Sequence, residues 1–439
     1  MDWSADDRDK ALAVVLNKVD GLWFAYYAID LSSPHEPLPE ADARAVLAAV
    51  TAESDGFHWR GSDAQRTALF SVLLEIFNDH PELSLEAFRR IFDMNVVPEE
   101  SGANAGMIGQ LNRTERQARL DKYLDAVRNR SCEGRAIIVA EGDSWFQFPG
   151  RWFFSPIGTR WLHVDAVKDI LDHLIASKRY CVNSLAAGGD WLFQMLRAND
   201  YVEPLSQIEP DVFLLSGGGN DLLGDGRVAN MTLHQRRAGI TARHREILAA
   251  RLAAVEGRRV VFDRTTYEAG LRFIAKEFVS FLNLVLVQYF IFLSSIARSK
   301  LAKMAIITHG YDFALPTQHS TARLISLRRL VNKWMGSGKW LWIPLEQKRL
   351  NDDEKKAVIY TMITEFNEVL VSLAMSPKFP HLYHVDCRGV ARSPADWYDE
   401  IHLTSKAFKR AELLFEACIT DALRTGDGKQ KVVTIADLR

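Results

Sequence analysis

Beyond residue 130 the chain alternates short apolar runs with longer stretches whose apolar residues recur every three or four positions. This alternation predicts a parallel sheet covered by helices on both faces. The predicted strands are Ala136–Ala140, Tyr180–Leu185, Asp211–Ser216, Met304–Thr308 and Leu382–Asp386. Helical spacing falls near Asp165–Ser177, Trp191–Ala198, Met231–Val255, Tyr267–Ser299, Asp353–Ala374 and Thr404–Leu423. Before residue 130 the pattern is helical throughout. Candidates are Ala11–Ala28, Leu38–Val50, Ala64–Phe77, the capped stretch Pro81–Phe92 and a charged helix Arg113–Val127, with Ser101–Gly106 as a linker.

Three regions follow: a helical accessory or interaction domain over 1–130, an α/β domain over 131–424, and a solvated tail over 425–439. The N-terminal region carries no catalytic constellation, and its expected role is to bind a protein partner. Phe278–Ile296 holds 14 apolar residues in 19, long enough to cross a bilayer. Its five polar residues lie within one arc, and the fold needs a helix there. A core helix is the better reading and membrane association the sharper alternative.

Composition adds limits. Hydrophobic residues make up 48% and charged residues 25%, with a formal net charge of -2, so no global field points to nucleic acid or an anionic membrane. Seven arginines between His234 and Arg259 read as a solvated face diluted by Glu246 and Glu256, with anion recognition as the alternative. The four cysteines, Cys132, Cys181, Cys387 and Cys418, lack metal-ligand spacing and read as buried thiols of a reducing compartment. An acidic N-terminus without an apolar h-region agrees with a cytoplasmic location.

Candidate chemistry sits just past the predicted strands, where open α/β sheets keep their ligands. The first strand breaks at Gly142 and presents Asp143 and Ser144, then Trp145 and Phe146. The second leads into Ala186-Ala-Gly-Gly-Asp190, small residues whose N–H groups could face an oxyanion. Ser216-Gly-Gly-Gly-Asn-Asp221 follows the third, with the Asn220 amide as a donor. Asp399-Glu-Ile-His402 lies after the last, spaced so that the carboxylate can hold the imidazole.

These four blocks, in this order, resemble the SGNH (GDSL-type) hydrolase superfamily, and most of all a bacterial branch of undefined substrate. The resemblance runs from Arg135 to about Leu423 and includes Thr308-His-Gly-Tyr-Asp312 and Phe366-Asn367. It implies a three-layer αβα sandwich with a five-stranded parallel sheet. It also implies Ser144 as nucleophile, His402 as base and Asp399 as its orienter. The oxyanion hole would use Asn220 with a backbone N–H from Ala186, or from Gly188 or Gly189. Such an enzyme cleaves acyl esters without metal or organic cofactor. The substrate would be a small ester, an acetylated sugar or a lipid. The alternatives are a membrane-associated lipid esterase and a catalytically idle adaptor. Trp145, Phe146, Trp397 and Tyr398 either line an acyl-binding wall or pin the chain to the core.

Overall fold

The computed structural model describes residues 39–44, 74–76, 78–80, 83, 103–148, 152–154, 161–163, 167–297, 301–318, 338–424 and 428–438. Ala11–Ala28 and most of Ala64–Phe77 and Pro81–Phe92 lie outside these residues, as does about half of Leu38–Val50, although 40–44, 74–76, 78–79 and 83 are helical. Six parallel strands form the sheet: β1 (Ala136–Gly142), β2 (Tyr180–Ser184), β3 (Val212–Ser216), β4 (Ala305–His309), β5 (Leu382–Val385) and β6 (Val432–Val433). Their order is β2-β1-β3-β4-β5-β6. The first five match the predicted runs to within a residue or two, because each is an apolar run buried on both faces. The sixth is a correction. Residues expected in a solvated tail instead hydrogen-bond to β5, with Val433 opposite Val385.

Helices cover both faces. On one, α2 (Ile170–Ala176) packs against α11 (Ser405–Leu423). On the other, α8 (Lys276–Ala297) lies between α3 (Leu192–Ala198) and α10 (Asp352–Met375). Register partners point to the same face, so Val139 and Phe213 belong to one layer while Leu214, Ser216, Ile307 and His309 belong to the other. Phe292 of α8 stacks on Tyr201 with centroids 4.3 Å apart and lies parallel to Phe213. Phe415 of α11 meets His309 from the opposite side. The long apolar run is therefore a core helix: 83% of its most hydropathic window is buried. Burial at that level contributes about 1.5–3 kcal/mol per large apolar side chain.

Three further expectations are corrected. Helix α1 runs over Ala103–Arg128, so it begins inside the expected linker. It also packs on β2, and Asn112, Arg116 and Arg119 bond to residues of the α/β domain. A domain boundary at 130 thus cuts through one packed unit. Cys132 and Cys181 form a disulfide that ties the end of α1 to β2, while Cys387 and Cys418 are buried thiols. The pairing removes the cysteine-based argument for a reducing compartment. Finally, the arginine-rich stretch is not one solvated face. Arg251 of α6 (Ala242–Val255) is buried against Glu365 and Glu368 of α10, and Arg258 also bonds Glu368. Arg245 remains exposed and Arg243 half-buried.

Candidate active site

The turn after β1 is shaped by what lies against it. A Cβ on Gly142 would meet the Ser216 side chain at 2.5 Å and the Phe146 ring at 2.9 Å, so only glycine lets β1 and β3 close here. Asp143 then caps the turn by accepting the Trp145 N–H at 3.0 Å. This leaves Ser144 at the carboxyl end of β1. With β2 on one side and β3 on the other, the strand order reverses there, which is where open α/β sheets hold their ligands.

His402 reaches this point from the far side of the sheet. Residues 398–402 form a tight loop, with the Tyr398 N–H bonded to His402 O and a bridge between Trp397 and Leu403. Asp399 holds the loop internally: its Oδ1 accepts the Ile401 and His402 N–H groups at 2.9 and 2.7 Å. Its Oδ2 lies 2.7 Å from His402 Nδ1, and His402 Nε2 lies 2.8 Å from Ser144 Oγ. Burial pushes the Asp399 carboxyl up, but the facing imidazole and the two N–H groups outweigh it and hold the group below its ordinary value. An ionised Asp399 keeps a proton on Nδ1, and Nε2 is then free to accept one from Ser144. Ser144 and His402 are only 5% and 3% exposed, which keeps competing water away.

The expected oxyanion donors are narrowed by their partners. Of the N–H groups at 186–189, Ala187 donates to Gly142 O and Gly188 donates to Asn112 Oδ1. Gly188 is therefore occupied, whereas the N–H groups of Ala186, Gly189 and Ser144 have no partner among the described residues. Gly189 adopts φ +94°, which few other residues tolerate. Asn220 opens the short helix α5 (Gly219–Leu223) and donates one amide N–H to Asp190 O at 2.9 Å. A primary amide has a second N–H, which is available for the crevice. Asp221 beside it accepts the Leu192 N–H at 2.9 Å; burial raises its carboxyl to about 6. The second and third blocks are thereby bonded to each other.

Residues absent from the sequence reading hold this arrangement. Asn112 clasps Gly188 through both amide atoms, and Gln147 Nε2 donates to Asn112 at 3.1 Å. Arg119 donates to Phe146 O and to Asp169. Glu400, between Asp399 and Ile401, accepts the N–H groups of Trp340, Leu341 and Trp342 at 2.7–3.1 Å. A polar residue on an otherwise charged helix gives no sequence signal of this kind. Among the described residues no group of three His, Cys, Asp or Glu side chains could hold a metal. A cavity of about 840 Å³ beside Arg251, Arg258, Glu368 and Lys431 contains none of the site residues.

The aromatic residues pin the chain rather than line a wall. Trp145 is 3% exposed and donates its indole N–H to Ile401 O at 3.2 Å, so the residue after Ser144 holds the loop that carries His402. Phe146, Trp397 and Tyr398 are buried as well. Trp145→Ala is therefore expected to lower kcat/KM for acetate and longer acyl esters alike, by roughly 10²-fold if the loop shifts about 1 Å. A loss confined to long chains, measured with a p-nitrophenyl ester series, would mean that Trp145 touches the acyl group.

No protein-family model and no curated protein matches the chain. Among solved structures it is similar to an extracellular lipase from Streptomyces rimosus, at 14% identity and a TM-score of 0.32, covering 63% of this chain and 97% of that one. It is also similar to a protein described as a GDSL-like lipase from Parabacteroides merdae, at 13% identity and a TM-score of 0.31, over 65% and 96% of the two chains. An alpha/beta hydrolase from the metagenome of Lake Arreo gives 15% and 0.30, over 66% and 97%. At these values the superpositions do not define a reaction, and the chemistry rests on the residues themselves.

Proposed function

We propose that the chain is a serine hydrolase that cleaves carboxylic esters through an acyl-enzyme. The observation that carries this reading is the continuous hydrogen-bond chain from Asp399 through His402 to Ser144. His402 Nε2 takes the Ser144 proton as Oγ attacks the ester carbonyl, and Asp399 stabilises the resulting imidazolium. The Ser144 N–H, the Ala186 or Gly189 N–H and the free Asn220 amide proton surround the developing oxyanion. Each such donor is worth about 2.7–4 kcal/mol of barrier. His402 then returns its proton to the departing alkoxide, and water activated by the same imidazole releases the acid. Every step uses groups of this chain.

The test is chemical. Incubation with a fluorophosphonate should add one phosphonyl group to the tryptic peptide that carries Ser144, read by mass spectrometry. The same preparation should turn over p-nitrophenyl acetate. An adduct on another residue, or none with an intact fold, would leave the site as an idle remnant and favour an adaptor function.

A further inference from the structure

Beneath the nucleophile turn lies a second chain of buried polar side chains, which the steps above do not use. Asp143, Ser216, His309 and Tyr311 are each 3% exposed or less. Asp143 Oδ2 accepts the Tyr311 hydroxyl, and Oδ1 accepts the Trp145 N–H. Ser216 Oγ lies 2.8 Å from Asp143 Oδ1 and 2.6 Å from His309 Nε2. His309 Nδ1 lies 2.8 Å from Gly310 O.

The donors can be counted. A carbonyl oxygen only accepts, so Nδ1 carries a proton. Ser216 has one hydroxyl proton and faces both Asp143 and His309, with the Tyr311 hydroxyl also in reach. If that proton points to Asp143, His309 Nε2 must supply its own; if it points to Nε2, the Asp143 carboxyl must be protonated. In both cases the three side chains hold one proton more than a carboxylate and a neutral imidazole would. Asp143 already accepts on both oxygens, from Tyr311 and Trp145, which places the extra proton on His309. The pair then buries no net charge.

The surroundings of His309 bear on that proton. Trp145 stacks on the imidazole with centroids 5.5 Å apart, and its face favours a cation, while Phe146, Tyr311 and Phe415 pack around the ring at tilted or edge-on angles. From β5, His384 is kept neutral, its pKa pushed down to about 3 chiefly by burial. From α8, Tyr289 gives its hydroxyl proton to Gly217 O. Burial works against that proton and lowers the His309 pKa from its ordinary value, although Asp143 and Gly310 O pull the other way. The count of donors decides, since without the extra proton two acceptors would face each other at one of the two short contacts.

We propose that the Asp143–Ser216–His309 set is a proton-holding brace that locks the Gly142-Asp143-Ser144 turn, and that Ser144 loses reactivity when rising pH removes the shared proton. His309 is a positioning residue here, because it acts through Ser216 and Asp143. The effect on Ser144 rests on the hydrolase reading; the proton count does not.

The experiment uses the full chain labelled with ¹⁵N-histidine, with the His309 signal identified by its loss in His309→Gln. The expected spectrum at neutral pH shows both ring nitrogens protonated, with deprotonation only as pH rises. Across that same step the rate of phosphonate labelling at Ser144 should fall. Glutamine can donate to Ser216 without titrating, so His309→Gln should label about 10²-fold more slowly or better, and without the step. Should His309→Gln not fold, Ser216→Ala severs the same link with a smaller change in volume and should also abolish the step. A His309 ring that is neutral throughout about pH 5–9 overturns the brace, as does an unchanged step in both variants. If Ser144 never labels, the hydrolase reading falls, and the histidine spectrum still decides the brace.

Discussion

Asp399→Asn is expected to lower kcat about 10⁴-fold while the protein stays folded and Ser144 stays in place. The reason lies in what each carboxylate oxygen does. Oδ1 accepts two backbone N–H groups from Ile401 and His402, so an asparagine will keep its carbonyl oxygen there. Its NH₂ must then face His402 Nδ1 and donate to it. That moves the imidazole proton to Nε2, which points at Ser144 and can no longer take a proton from it. Ser144→Ala removes the nucleophile itself and should cost about 10⁶-fold. The graded order is what the proposed triad requires, because in it Asp399 only orients while Ser144 reacts. Steady-state rates on p-nitrophenyl acetate check it, alongside thermal unfolding of both variants. Equal losses would mean that Asp399 shapes the loop and not the tautomer, and the double variant should be no worse than Ser144→Ala alone.

What was readable in advance was local. A strand buried on both faces must be an apolar run, so Ala136–Ala140 and its four counterparts stood out, and each ends at its block of small or polar residues. Ser144, Asn220, Asp399 and His402 are read from those blocks; hydrogen bonds join Asp399, His402 and Ser144, while Asn220 bonds to Asp190 of the second block. Gly188 could not be set aside from sequence, because its N–H is occupied by Asn112, 76 positions away. The same distance problem hid the cysteine pair, whose partners lie 49 residues apart on different elements. Val432–Val433 is too short to give a strand signal and exists because β5 offers it a free edge. Trp145 was ambiguous because an aromatic next to a nucleophile can face either way; the bond to Ile401 O turns it inward.

The same long-range pairing makes Arg119 a side chain whose loss should cost both stability and the order of the turn at Ser144. It sits on α1, is 2% exposed, and donates to Phe146 O, Asp169, Asp172 and Glu115. Asp169 is fully buried, caps α2 by accepting the Asp172 N–H, and also accepts the Phe148 N–H. Arg119→Met keeps the aliphatic stem but strips the charge that balances Asp169. Removing one partner of a buried ion pair costs about 3–5 kcal/mol, far more than the surface pair its place on a charged helix would suggest. Urea unfolding should therefore show a midpoint well below wild type with an unchanged slope. Because Phe146 O loses its donor two residues from Ser144, phosphonate labelling should slow even where the variant is fully folded. If α1 belonged to a separate accessory domain, neither quantity would move by more than a surface substitution allows, about 0.5 kcal/mol. A normal labelling rate with a lowered midpoint would confine Arg119 to holding α1 in place, and leave the turn at Ser144 to the bonds of Asp143 and Trp145.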